Sequence, residues 1–170
     1  PDIQTPPRNF MTFLQIMLTL VQHPSLSVTH GGCSIFLQLV KHDTIARDPI
    51  FINSIRAIIE IIGPNVVKRP FPRIRHSFSP ASIPYTTEGY ACADFDGEEE
   101  YMIFVYRFRV DLLEVFRQST LMAPLYTFSY CERWLCQRIE RSHKENLTSC
   151  SITDPVYLEW EAIVAVLDGV

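Results

Sequence analysis

No uninterrupted apolar run in this sequence reaches membrane-spanning length. Its longest apolar stretches are broken by Gln15, Gln22, Gln38, Arg56 and Glu60, well short of the roughly 20 residues a transmembrane helix needs, so no membrane insertion is expected. An excess of positive charge is missing too. Lys and Arg number 15 against 19 Asp and Glu, a net charge of −4, which argues against a dedicated nucleic-acid-binding domain while leaving local basic patches open. The five cysteines (Cys33, Cys92, Cys131, Cys136, Cys150) are odd in number and lack C-x-x-C spacing. That excludes a simple disulfide framework and predicts free, mostly buried thiols in a reducing compartment. No basic stretch leads into an apolar core and small-residue cleavage site, so no signal peptide is read. Pro1 in place of Met suggests a chain cut from something longer.

Catalytic signatures are missing as well. There is no H-E-x-x-H, no P-loop and no G-x-S-x-G, and His23, His30, His42, His76 and His143 are scattered. His42 beside Asp43 is an adjacent pair that would diverge on a helix. No enzymatic activity, catalytic residue, cofactor, metal or small-molecule substrate is therefore expected.

What remains is an ordinary globular composition, 47% hydrophobic and 20% charged, organised with helical periodicity. Phe13, Leu14, Met17 and Val21 recur at three-and-four spacing, and Pro24 ends that helix at His23. Cys33, Phe36, Leu37 and Val40 form the stripe of a second helix, and the short His23-Pro24-Ser25 link makes the two an antiparallel hairpin. Asp48-Pro49 caps a third helix whose Ile52, Ile55, Ile59 and Ile62, widened by Phe51 and Ile58, want neighbours on more than one side. From Gly63 to Ala93 the periodicity fails and Pro64, Pro70, Pro72, Pro80 and Pro84 forbid a continuous helix, which predicts a mobile insertion loop.

Acidic residues from Asp94 to Glu100 open the strongest helix, with Tyr101, Phe104, Val105, Phe108, Leu112 and Val115 inward and Arg107 able to pair with Asp111. Pro124 closes it. A fifth helix to Ser142 places Phe128, Cys131, Trp134, Leu135 and Ile139 inward. After a polar link, Thr153-Asp154-Pro155 starts a last helix aligning Val156, Trp160, Ile163, Val164 and Leu167. Trp134 and Trp160 are expected to be largely buried between layers.

Six helices in three pairs, with no convincing strand, predict an all-α chain: an α-solenoid of antiparallel helical pairs of HEAT type, or less readily one closed bundle. The organisation is a helical-repeat section over residues 1–62, the Pro-rich insertion over residues 63–93, and a second helical-repeat section over residues 94–170, all of one solenoid fragment.

The order of several segments carries a resemblance. Asp94-Phe95-Asp96 followed by acidic residues and Tyr101, then RVDLLEVFR from Arg109 to Arg117, then Trp134-Leu135 and the closing Tyr157-Leu158-Glu159-Trp160-Glu161-Ala162 resemble a central segment of the exportin-5 type of importin-β-like (karyopherin) nuclear export receptor. His23-Pro24-Ser25-Leu26 fits the same order, whereas the Pro-rich stretch aligns poorly. The resemblance implies stacked helical pairs that bind Ran-GTP and structured double-stranded RNA such as microRNA precursors or tRNA. It also implies shuttling between nucleus and cytoplasm, with nucleoporins as further candidate partners. Another importin-β-like receptor carrying protein cargo, or a generic HEAT scaffold, would share the same helical pattern.

Three charged groups are candidate contacts. Lys68, Arg69, Arg73 and Arg75, with His76 beside them and Phe71 and Phe78 able to stack on bases, could neutralise RNA phosphates. A solvated insertion whose charges keep it soluble is the weightier account. Asp94, Asp96, Glu98, Glu99 and Glu100 could meet a basic partner, although acidic residues at a helix start already complement the backbone dipole. The same dipole, with opposite sign, accounts for Arg133, Arg138, Arg141 and Lys144 near the end of the fifth helix.

Overall fold

The computed structural model describes residues 6–72, 85–143 and 150–170. Among them are eight helices: α1 (Phe10–Val21), α2 (Leu26–Val40), α3 (Asp43–Ala46), α4 (Pro49–Val66), α5 (Thr87–Asp94), α6 (Glu98–Met122), α7 (Pro124–Ser142) and α8 (Pro155–Gly169). The six expected helices are present, and the single-turn α3 and the short α5 are additions.

The boundaries have local causes. Ser25 caps α2 by accepting a hydrogen bond from the Val28 N–H at 3.3 Å. Asp48 caps α4 by accepting from the N–H groups of Ile50 and Phe51 at 2.9 and 3.3 Å, and Pro49 follows at the position where its missing N–H costs nothing. Thr86 caps α5 through the Gly89 N–H at 3.2 Å. Between α6 and α7 only Ala123 is non-helical, and Pro124 starts the new helix.

Helix packing gives two layers. In one, α4 touches α1 and α7; in the other, α6 touches α2 and α8. Across the layers α1 pairs with α2, α4 with α6, and α7 with α8. This is the expected solenoid of antiparallel helical pairs, each contacting its neighbours in sequence order. The core runs between the layers. Phe36 and Phe51 are fully buried with ring centroids 5.3 Å apart. Ile55, Ile58, Ile59 and Ile62 of α4 face Phe108, Leu112, Val115 and Phe116 of α6, all at most 2% exposed. Burying each such side chain contributes about 1.5–3 kcal/mol. Gly32 lets α1 and α2 come together, because a Cβ there would stand 2.7 Å from Val21 Cγ2.

Several expectations need correction. α4 does not stop at Gly63-Pro64 but continues to Val66. Pro64 sits in its last turn, where one lost hydrogen bond is least disruptive, and Arg109 Nε donates to the Val66 carbonyl at 2.7 Å, satisfying an orphan acceptor of the helix end. Within the predicted 63–93 loop, Thr87–Asp94 is helical as α5. Asp94 therefore ends α5, and α6 begins only at Glu98. The mobility expected of Gly63 to Ala93 falls in part on residues 73–84, which lie outside the described residues.

The last pair is wetter than expected. Trp134 and Trp160 are half-buried, Phe128 is 54% exposed and Ile139 41%. Cys131 is buried as expected, and Thr127 and Arg138 share the inner face of α7 with it. Val164 and Leu167 of α8 are exposed too. On the side of α7 and α8 away from α4 and α6, no described helix supplies a surface to bury them. Phe13 of α1, placed inward by its spacing, is likewise exposed. Asp111 does not pair with Arg107 on its own helix but meets His30 Nε2 of α2 at 2.6 Å. None of the five cysteines forms a disulfide; Cys33 and Cys131 are buried, Cys92 is half-buried, and Cys136 and Cys150 are exposed, so "mostly buried" overstates the case.

Candidate functional site

The sequence-predicted basic group is divided. Lys68 and Arg69 follow the end of α4, whereas Arg73 and Arg75, with His76 and Phe78, lie outside the described residues. Lys68 and Arg69 themselves part company. Lys68 Nζ lies 3.1 Å from Glu161 Oε1 of α8 and lines an apolar groove of about 420 Å³ on α6 with Met102, Tyr106 and Val110. Arg69 lines a polar cleft of about 480 Å³ between α4, α7 and α8. Phe71 packs its ring 5.3 Å from Tyr101, so among the aromatic residues singled out for stacking it has a structural contact.

The acidic group is divided as well. Asp94 accepts a hydrogen bond from Ser25 Oγ at 2.7 Å, tying α5 to the α1–α2 turn. Glu100 reaches back to the Asp96 N–H at 2.8 Å and closes the start of α6. Asp96, Glu98 and Glu99 are exposed, with Glu98, Glu99 and Glu100 in the first turn of α6, where their charge complements the dipole.

Two members of the third group, Arg138 and Arg141, converge on a residue the sequence did not single out as a site. Glu159 of α8 accepts from Trp134 Nε1 at 3.1 Å, Arg138 at 3.2 Å and Arg141 at 2.5 Å. Arg138 is 2% exposed, and it also donates to Ser142 Oγ. Burial pushes the Glu159 carboxyl up, but the hydrogen bonds from Trp134, Arg141 and Arg138 outweigh it and hold the group below the usual carboxylate range. Lys144, counted with this group, lies outside the described residues.

Glu159 and its partners form one wall of the α4/α7/α8 cleft. The other lining includes Glu60, Pro64, Val67, Arg69, Tyr130 and Arg133. Arg133 pairs with Glu60 across the helices and lies 5.9 Å from the Tyr130 ring centroid. The Tyr130 hydroxyl comes against Gly63, where a Cβ would sit 1.7 Å away. Burial, reinforced by Glu60, raises its phenol pKa, so it stays protonated. Tyr130, Arg133, Trp134, Gln137 and Arg141 recur at helical spacing on one face of α7. That polar and aromatic stripe was the sequence signal for the cleft.

Buried thiols offer no nucleophile at neutral pH. Burial, with a smaller contribution from Asp111, pushes Cys33 up to about 12, and burial pushes Cys131 up to about 11. Among the described residues no cluster of three or more His, Cys, Asp or Glu could hold a metal ion. No described helix is long and apolar enough to cross a membrane.

The Exportin-5 family model matches residues 3–170. The chain belongs to the exportin-5 family. It is similar to human exportin-5, 26% identical over 181 aligned residues, and to mouse exportin-5, 27% identical over the same length. In both comparisons 99% of this chain is covered and 14% of the relative, so it spans about one seventh of their length. For an exportin-5 family chain of this extent, the two-layer helical stack is the conspicuous feature, and the cleft between α4, α7 and α8 gathers three arginines and two glutamates.

Proposed function

We propose that this chain is a section of a nuclear export receptor, a scaffold that contributes to holding structured double-stranded RNA, such as microRNA precursors, together with Ran in its GTP form. The observation that carries this reading is the family match along residues 3–170, on a chain that stacks helical pairs. Such stacks present long side surfaces to macromolecules rather than enclosed pockets to small molecules, which suits transport and not catalysis. The protein would shuttle between nucleus and cytoplasm.

Within this section, Lys68, Arg69, Arg73 and Arg75 are proposed as RNA backbone contacts, because cations clustered in the sequence can displace counterions from phosphates without a preformed pocket. The exposed Asp96, Glu98 and Glu99, with Asp94 and Glu100, are proposed as the face toward a basic protein partner. Nucleoporins are further proposed partners.

The test is retention of a labelled RNA hairpin on the immobilised protein with Ran loaded with GTP or GDP. Retention that needs the GTP form is expected. Release on adding that form would mark an import-type receptor instead, and retention indifferent to Ran would mark a generic scaffold.

A further inference from the structure

The α4/α7/α8 cleft holds three guanidiniums, those of Arg69, Arg133 and Arg141, against two carboxylates, those of Glu60 and Glu159. Both carboxylates are already engaged. Glu60 takes Arg133, and Glu159 takes Trp134, Arg138 and Arg141. The cations are not equally committed. Each guanidinium has five N–H donors; Arg141 uses its own on Glu159 and the Gln137 carbonyl, whereas Arg69, half-buried in the wall, has no hydrogen-bond acceptor among the described residues. The cleft thus combines excess positive charge, unspent donors and an aromatic wall of Tyr130 and Trp134 beside Pro64 and Val67.

Its dimensions select the occupant. About 480 Å³ admits a few side chains, whereas an RNA duplex is recognised across broad backbone surfaces. Apolar lining next to arginines fits an extended polypeptide that alternates carboxylates with apolar side chains.

We propose that this cleft docks an acidic, partly apolar peptide segment of a partner protein, with one peptide carboxylate on Arg69 and an apolar side chain laid against Tyr130 and Trp134. Arg133 and Arg141 hold the rim through their own carboxylates and offer remaining donors to the peptide backbone. This docking needs neither RNA nor Ran, and it shares Arg69 with the proposed RNA contact.

The experiment uses a short fluorescein-labelled peptide of alternating Glu and Leu, its Gln and Leu counterpart, and an unlabelled RNA hairpin as competitor. Anisotropy reports binding, and Trp134 emission reports the place, since Trp160 lies outside this cleft. Saturable binding of the acidic peptide, a change in emission that Trp134→Phe removes, and weakening by about tenfold in Arg69→Gln are expected. Glu60→Gln should tighten binding, because it removes a repelling carboxylate. Arg117→Gln, an equal charge change on exposed α6 surface, should leave binding as it was, and circular dichroism should show every variant helical. Absence of saturable binding would overturn the proposal. So would equal affinity for the Gln peptide, an Arg69→Gln variant indistinguishable from the parent, or peptide binding only once the RNA hairpin is added.

Discussion

The first and last helical pairs are joined by opposite means. Between α1 and α2 the contact is dry: Leu14, Met17 and Val21 meet a second helix that brings Gly32, Cys33 and Phe36, all buried, and the helices approach as closely as a missing side chain allows. Between α7 and α8 the contact is ionic, a buried Arg138 and a half-exposed Trp134 converging on one carboxylate. Both solutions join a pair within the same stack, but they respond to different perturbations. Dry contacts answer to shape; the ionic latch answers to charge and pH.

The comparison is sharpest where it is broken outright. Phe51→Ala, removing a ring with no exposed surface in the first turn of α4, should destabilise by about 4 kcal/mol, read from the urea midpoint. Glu159→Ala removes the carboxylate that faces the buried Arg138 and should cost about 3 kcal/mol, with amide exchange accelerating first in α7 and α8. Acid should imitate that change. Because the Glu159 pKa is held below its ordinary value, its contribution is fully present above the ordinary carboxylate range and is lost as the pH falls through the depressed value. Protection should then fade in α8 before α2, and in Glu159→Gln this acid-dependent difference should be absent.

Gly32→Ala presses a methyl group onto Val21 and should cost about 2 kcal/mol, whatever the pH; a pH-dependent loss would contradict the dry description of the first pair. The smallest effect is expected from Asp48→Ala, which removes an N-cap from two backbone N–H groups and should lower stability by about 1 kcal/mol.

The dry half was the legible half. Ile55, Ile58, Ile59 and Ile62 announced a helix wanting neighbours on several sides, and they are buried between α4's neighbours. Phe108, Leu112 and Val115 did the same for α6. The rule that reads those stripes misled on α7, because it assigns apolar residues inward: Phe128 and Ile139 are exposed while Thr127 and Arg138 are buried. A charge can be buried only when a partner comes to it, and Glu159 comes from another helix, 21 residues on. Nothing local marks such a pair. α5 was hidden for a different reason. It is eight residues long, too short for a stripe to declare itself, and its Thr86 cap follows a run of prolines that argues against any helix. At the cleft, Arg69, Arg133 and Arg141 were visible as charges, but only folding gathers them from α7 and the end of α4. The family was legible from the order of short segments, which survives when the individual residues have diverged.

Arg109 carries a mechanical meaning beyond capping. One guanidinium on α6 holds the carbonyl of Val66 at the end of α4 and, at 2.5 Å, Glu161 of α8, which also receives Lys68. The second and third pairs cannot twist freely past one another when a helix of the second pins its own partner's end and a helix of the third. A twist applied to either of these two pairs is passed to the other as rotation of the block that contains α4, α6 and α8.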